Sequence, residues 1–118
     1  MHLSFIIPAY NESRRIGDTL VKARDYFSRQ GYDYEVIVVD DGSSDGTAGF
    51  VRRSFPDVHV IEYTPNQGKG HAVRTGMLAA QGDFRYFSDA DGSTPVGEIE
   101  KLQARFDDGA DVVIGSRT

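Results

Sequence analysis

A chain of 118 residues without cysteine is long enough for one domain with its own core and too short for two, and it excludes disulfides, thiolate metal sites and cysteine nucleophiles. Its 18 acidic and 13 basic residues leave a formal net charge of -5, and the scattered Lys and Arg side chains provide no basic footprint for nucleic acid. No apolar run approaches the ~20 residues that span a bilayer, and "MHLSFIIPAYNE" lacks the basic start of a signal peptide, so the expected setting is soluble and cytoplasmic.

The first expected element is a strand over 3–7, "LSFII", followed by the polar cluster "PAYNE". From Arg14 to Gln30, Ile16, Leu20, Ala23 and Phe27 recur at helical spacing and Gly31 supplies a stop, which predicts an amphipathic helix. "EVIVV" (35–39) is a second strand, its nearly unbroken apolar run fitting burial on both faces. After it come "DDGSSDGT" and a short helix over 47–55. "VHVIEY" (58–63) is a third strand, "NQGKG" follows, and Val73, Met77 and Ala80 mark a helix over 72–81. A fourth strand, "FRYFS" (84–88), reads as less fully covered because it contains Arg85, and it leads into "DADG". Thr94 and Pro95 form an N-cap with proline at the first helical position, ahead of a helix over 98–106 carrying Ile99, Leu102 and Phe106. "DVVIG" (111–115) is a fifth strand, and "GSRT" closes the chain with that strand uncovered. The expectation is therefore a single domain over 1–118 forming the N-terminal part of a longer protein.

Strands alternating with helices give the α/β class, with a mainly parallel sheet covered on both faces. Ligands of such sheets lie outside the carboxyl ends of the strands, and the four polar clusters all fall there. Asp40, at the end of the second strand, has two readings: a loop-forming acid, or an acceptor for the ribose hydroxyls or base edge of a nucleotide. Asp41 and Asp45 read as holding the loop and capping the next helix. "NQGKGHAVRTG" (66–76) matches neither a phosphate loop nor a dinucleotide fingerprint. Lys69 is either a solvated lysine or, with neighbouring amides at a helix N-terminus, a partner for an anion. The three histidines, His2, His59 and His71, have no metal-like spacing.

"DADG" places Asp89 and Asp91 one position apart. D-x-D is common in loops, but oxygen-only ligands suit Mg²⁺ or Mn²⁺, whose coordination substrate phosphates complete. A metal would reconcile an acidic protein with an anionic ligand and neutralise charge on a leaving diphosphate. Arg117, beyond the fifth strand, is a surface arginine or a second cation for phosphate oxygens.

Taken in order, "FIIPAYNE", "EVIVVDDGSSDGT", "NQGKGHAVRTGM", "FSDADGSTP" and "VVIGSR" resemble the nucleotide-sugar-binding half of a family 2 glycosyltransferase with the GT-A fold. Within that family the chain is most similar to polyprenyl-phosphate hexose synthases, such as dolichyl-phosphate mannose and glucose synthases, over essentially its whole length. The resemblance implies a Rossmann-like fold, a UDP-glucose or GDP-mannose donor, Mg²⁺ or Mn²⁺, a polyprenyl or dolichyl phosphate acceptor, and transfer with inversion at the anomeric carbon. It also implies membrane contact through the acceptor or a C-terminal region, peripheral to the cytoplasmic face.

By the same resemblance, Pro8, Ala9, Tyr10 and Glu12 surround the base and ribose, and Val38 and Asp40 form the base-contacting end of the second strand. Asp89, Ala90 and Asp91 match the D-x-D motif, the two acids being catalytic as well as metal-binding, with Asp91 the direct ligand and Asp89 nearer the ribose or the metal's waters. Arg117 matches an arginine near the diphosphate or sugar. Related synthases carry a glutamine two residues after the motif that can ligate metal; here Ser93 stands there. "DADGSTP" is closer to the glucosyl type. A sugar-nucleotide nucleotidyltransferase would need a basic glycine-rich loop that "PAYNESRR" does not supply; a non-catalytic nucleotide-binding module is the other rival, argued against by the retained acidic pair.

Overall fold

The computed structural model describes residues 2–31 and 33–87. They form strand β1 (His2–Ala9), helix α1 (Ile16–Gln30), strand β2 (Asp33–Asp41), helix α2 (Thr47–Ser54), strand β3 (His59–Tyr63), helix α3 (Lys69–Ala79) and strand β4 (Phe84–Phe87). The helix expected over 98–106, the fifth strand over 111–115, and Asp89, Ala90, Asp91, Ser93, Thr94, Pro95 and Arg117 lie outside the described residues.

The four strands form one sheet in the order β3-β2-β1-β4, and each neighbouring pair is parallel. The α/β class with a parallel sheet is thus as expected from the alternation of strand and helix. Crossovers between parallel strands are right-handed. The first two steps, β1 to β2 to β3, move the same way across the sheet, so α1 and α2 cover one face. The third step returns past β1 to β4, and α3 covers the other. That reversal makes the boundary between β1 and β4 the switch point, the place beyond whose strand ends sheets of this kind bind ligands.

Side-chain alternation sorts the strand residues between these two faces. Leu3, Phe5, Ile7, Val36 and Val38 pack with Ile16, Leu20, Ala23 and Phe27 of α1 and Val51 of α2. Ile6, Ile37, Val39 and Phe87 pack with Ala72 of α3. Burying each of these larger side chains contributes about 1.5–3 kcal/mol, which is why β1 and β2 carry almost no polar residue between their ends. Aromatic stacking ties β4 to this arrangement: the Phe5 ring lies 5.6 Å from that of Tyr86 at an interplanar angle of 10°, and Phe27 meets Phe5 edge-on at 5.3 Å.

α3 begins at Lys69, earlier than the expected 72, because Gly68 at φ 98° serves as N-cap. Arg85, partly buried on β4 at the edge of the described sheet, also contributes to the fold. Its Nε donates to the Gly82 carbonyl at 3.2 Å and its Nη1 to the Met77 carbonyl at 3.0 Å, placing a cation at the negative end of α3.

The one polar residue inside β1, Ser4, is wholly buried. Its hydroxyl donates to Glu35 at 2.5 Å and accepts from the Gly82 amide at 2.8 Å, while Glu35 accepts from the Gln81 amide at 2.7 Å. Ser4→Ala leaves the buried Gly82 donor without its acceptor and is expected to cost about 1–3 kcal/mol. A lower urea midpoint at unchanged slope is the expected measurement; an unchanged midpoint would mean the network carries no net stability.

Candidate functional site

The carboxyl ends of β1 and β2 project two loops that hold each other. Asn11 sits at φ 53°, in the left-handed region that asparagine tolerates better than most residues. Its amide donates to Ser43 Oγ at 2.8 Å, and its Oδ1 accepts from the Ser44 amide at 2.8 Å. The Glu12 amide donates to Thr47 Oγ1 at 3.1 Å, and the Ser13 amide to Asp45 Oδ2 at 3.1 Å. Thr47 Oγ1 in turn donates to Asp45, whose Oδ1 also accepts from the Thr47 amide at 3.1 Å. Gly46 is the N-cap of α2 without a side-chain cap bond, so Asp45 steadies the helix start from the preceding position. Partial burial pushes the Asp45 carboxyl up, but bonds from the Thr47 hydroxyl and the Ser13 and Thr47 amides outweigh it and hold the group below the usual range.

Asp40 and Asp41 are both buried, 2% and 3% exposed, and alternation sends them to opposite faces. Asp40 closes its own turn, its Oδ1 accepting from the Ser43 amide at 2.9 Å. Asp41 reaches across to the β3–α3 loop. Its Oδ1 accepts from Tyr63 Oη at 2.6 Å and the Gln67 amide at 2.8 Å, and its Oδ2 from Asn66 Nδ2 at 2.8 Å and the Gly68 amide at 3.0 Å. Gly42 allows this loop to come so close: it sits at φ 79°, and a Cβ there would lie 2.7 Å from the Asn66 nitrogen.

Burial, and then the adjacent Asp41 carboxylate, push the Tyr63 phenol well above its ordinary value of 10.0. A raised phenol pKa favours the fold fully below the unfolded value, and that contribution is lost as pH rises toward the folded one. The stability difference between wild type and Tyr63→Phe should therefore shrink above pH 10.0, measured by urea unfolding across the alkaline range; a constant difference would contradict the Tyr63–Asp41 bond.

The expected site residues divide into several groups. Tyr10 is 51% exposed at the mouth of the β1 loop. Glu12 is mostly covered and pairs with Arg15 at 2.7 Å. Lys69 is the first residue of α3, with Nζ 5.9 Å from the Phe87 ring centroid, so it stands over the carboxyl end of β4, just before "DADG". The structure places the other expected residues as follows. Val38 is 0% exposed in the core beneath α1 and α2, and Pro8 and Ala9 are likewise buried, because the sheet is covered on both faces. Their side chains are not offered to a ligand; only their backbone could be. The amides just ahead of Lys69, on Gln67 and Gly68, are taken up by Asp41 rather than presented to an outside anion. Asp41 itself holds the β3–α3 loop, not the loop that follows it. Asp89, Ala90, Asp91 and Arg117 are outside the described residues.

The sequence reading missed Asn11, Ser43, Thr47, Tyr63 and Asn66 as the residues that build the loops. An asparagine two residues past the end of a strand was the available signal for the first of them. Among the described residues no group of three His, Asp or Glu side chains could hold a metal ion, and no helix is long and apolar enough to cross a membrane. Asp89 and Asp91, the pair that the family resemblance assigns to a metal, follow β4 in the sequence and lie outside the described residues.

Comparison with known proteins gives a consistent result. Residues 4–118 match the family described as Glycosyl transferase family 2. Dolichyl-phosphate beta-glucosyltransferase of Drosophila melanogaster is 38% identical over 135 residues, covering 99% of this chain and 41% of its own. The human protein of the same name is 35% identical, over 90% of this chain and 36% of its own. The chain thus spans about two fifths of the length of these relatives. Among solved structures, a mannosyltransferase from Pyrobaculum calidifontis in complex with GDP-Man and Mn2+ is 36% identical with a TM-score of 0.66, over 75% of this chain and 27% of that one. TarS 1-349 of S. aureus in complex with UDP is 28% identical with a TM-score of 0.73, over 92% and 32% respectively.

Proposed function

The chain belongs to glycosyltransferase family 2, and from that membership we propose that it forms the donor-binding part of an inverting hexosyltransferase that moves glucose from UDP-glucose to dolichyl or another polyprenyl phosphate. The observation that carries the reading is the set of relatives described as dolichyl-phosphate beta-glucosyltransferases, which cover nearly the whole chain. The switch point between β1 and β4, flanked by Tyr10, Asp40 and Lys69, supports it as a place for a nucleotide sugar. The sugar follows from the relatives' names; the uridine nucleotide is supported by the UDP complexes of TarS and of a glucosyl-3-phosphoglycerate synthase.

In the proposed reaction an acceptor phosphate oxygen forms a bond to the anomeric carbon while the bond from that carbon to the donor's β-phosphate oxygen breaks. The electron pair leaves with UDP, and attack from the opposite side converts an α-linked donor into a β-linked product. A phosphate acceptor is ionised near neutral pH, so no side chain need take its proton. Asp91, with Asp89, would hold Mg²⁺ or Mn²⁺, which supplies neutralisation of charge on the diphosphate. Asp40 would accept from the base or ribose, Tyr10 and Glu12 would border the nucleoside, and Lys69 and Arg117 would face the phosphates or sugar. The acceptor would bring the protein to the membrane surface.

Calorimetric titration with UDP-glucose and GDP-mannose, each with and without Mn²⁺, tests the proposal. Metal-dependent binding of UDP-glucose is expected. Preference for GDP-mannose would overturn the choice of donor, and failure of both nucleotides to bind would overturn the donor site.

A further inference from the structure

We propose that Asp41 is a positioning residue of the donor site, setting the N-terminal end of α3 and Lys69 on it without touching the donor; this rests on the donor site proposed above. The Asp41 carboxylate accepts from four donors, two on each oxygen: Tyr63 Oη and the Gln67 amide, Asn66 Nδ2 and the Gly68 amide. Two acceptances per oxygen exhaust what a carboxylate offers, so nothing remains for a ribose or a metal. Asp40, beside it, has a single comparable bond among the described residues, to its own turn. The adjacent acids therefore divide their tasks by strand alternation: Asp40 is directed toward the β2–α2 turn, and Asp41 fastens the neighbouring loop.

That loop matters because it ends in α3. Gly68, one of the four donors, is the N-cap, and Lys69 follows it directly. The helix is seated on the sheet by Ala72 and Gly76, both buried. With its axis held by that packing, its N-terminal end is held by Asp41. Lys69 reaches from there to within 5.9 Å of the Phe87 ring centroid, at the close of β4 and two residues before Asp89. A charge-assisted clamp of this kind fixes geometry more firmly than neutral bonds do.

The test is a double-mutant cycle read by UDP-glucose titration in Mn²⁺, with folding checked by circular dichroism. Asp41→Asn keeps the shape but turns half of the acceptor into a donor facing donors. It should weaken binding roughly 10-fold, the scale on which residues supporting a site act. If Asp41 acts through Lys69, Lys69→Met should cost clearly less affinity in the Asp41→Asn background than in wild type. Tyr63→Phe removes one of the four donors with little disturbance, and the same cycle with Lys69→Met replaces the first if Asp41→Asn does not fold. Equal losses in both backgrounds, or undiminished binding by the folded variant, would overturn the positioning role while leaving the donor site intact. Absence of binding by wild type would overturn the donor site, and this role with it.

Discussion

Gly76→Val is expected to lower the thermal midpoint by roughly 5–10 °C, the shift that about 2 kcal/mol produces in a domain of this size. The reason lies in how α3 meets the sheet. A Cβ at Gly76 would lie 2.5 Å from Ile6 Cγ2 and 3.2 Å from Val39 Cγ2. Both neighbours are β-branched side chains on central strands, 0% exposed, so neither can swing aside. Added atoms must displace the helix or force strained rotamers, at a typical cost of about 1–3 kcal/mol. Replacing glycine inside a helix returns up to ~1 kcal/mol for alanine and less for valine, so sterics decide the sign for valine, and alanine should fall between it and wild type. Gly70, on the same helix, has nothing within 4 Å of a Cβ, and Gly70→Ala should be neutral or stabilising. Thermal unfolding of the three variants checks the order. A Gly76→Val protein as stable as wild type would mean α3 does not lie against Ile6.

That close packing also shows which features were legible in the sequence. The strands could be read because "FII" and "VIVV" are continuous apolar runs, and a parallel strand covered on both faces requires one. α1 was legible from the periodicity of Ile16, Leu20, Ala23 and Phe27, all 0% exposed. α3 was harder: its sheet-facing side is built on Ala72 and Gly76, small residues chosen for close approach, so its apolar pattern is weak and "GKG" reads as loop. The polar clusters were correctly located at strand ends, but the bonds within them were not readable. Asp41 finds Asn66, Gln67 and Gly68 only because β2 and β3 are neighbours in the sheet. Asn11 finds Ser43 and Ser44 because β1 and β2 are. Such pairings depend on strand order, which local sequence does not encode. Val38 lies two residues before Asp40, on the same face of β2, and its side chain is core.

On the proposed function, Asp91→Asn is expected to have the largest effect, lowering the proposed glucose transfer to a polyprenyl phosphate on the order of 10²–10³-fold, the range seen when one group stabilising a developing charge is removed. The basis is the resemblance of "DADG" to the family's D-x-D motif, whose two carboxylates suit Mg²⁺ or Mn²⁺ with a diphosphate completing the shell. The chain's net charge of -5 makes the need for that metal sharper: without a cation, a nucleotide diphosphate approaches a repulsive surface. If Asp91 is the direct ligand and Asp89 lies nearer the ribose or the metal's waters, Asp89→Asn should cost less and should weaken nucleotide binding even without metal. Asp91→Asn should abolish only the Mn²⁺-dependent part of the affinity. Ser93 supplies a third comparison. Where related synthases have a metal-ligating glutamine this chain has serine, so water must complete the shell and metal affinity without nucleotide should be poor. Ser93→Gln should raise Mn²⁺ affinity in the absence of UDP, measured by calorimetry, while leaving the Asp91→Asn defect uncorrected. Transfer by Asp91→Asn at the wild-type rate, with Mn²⁺ dependence intact, would show that the metal is held elsewhere.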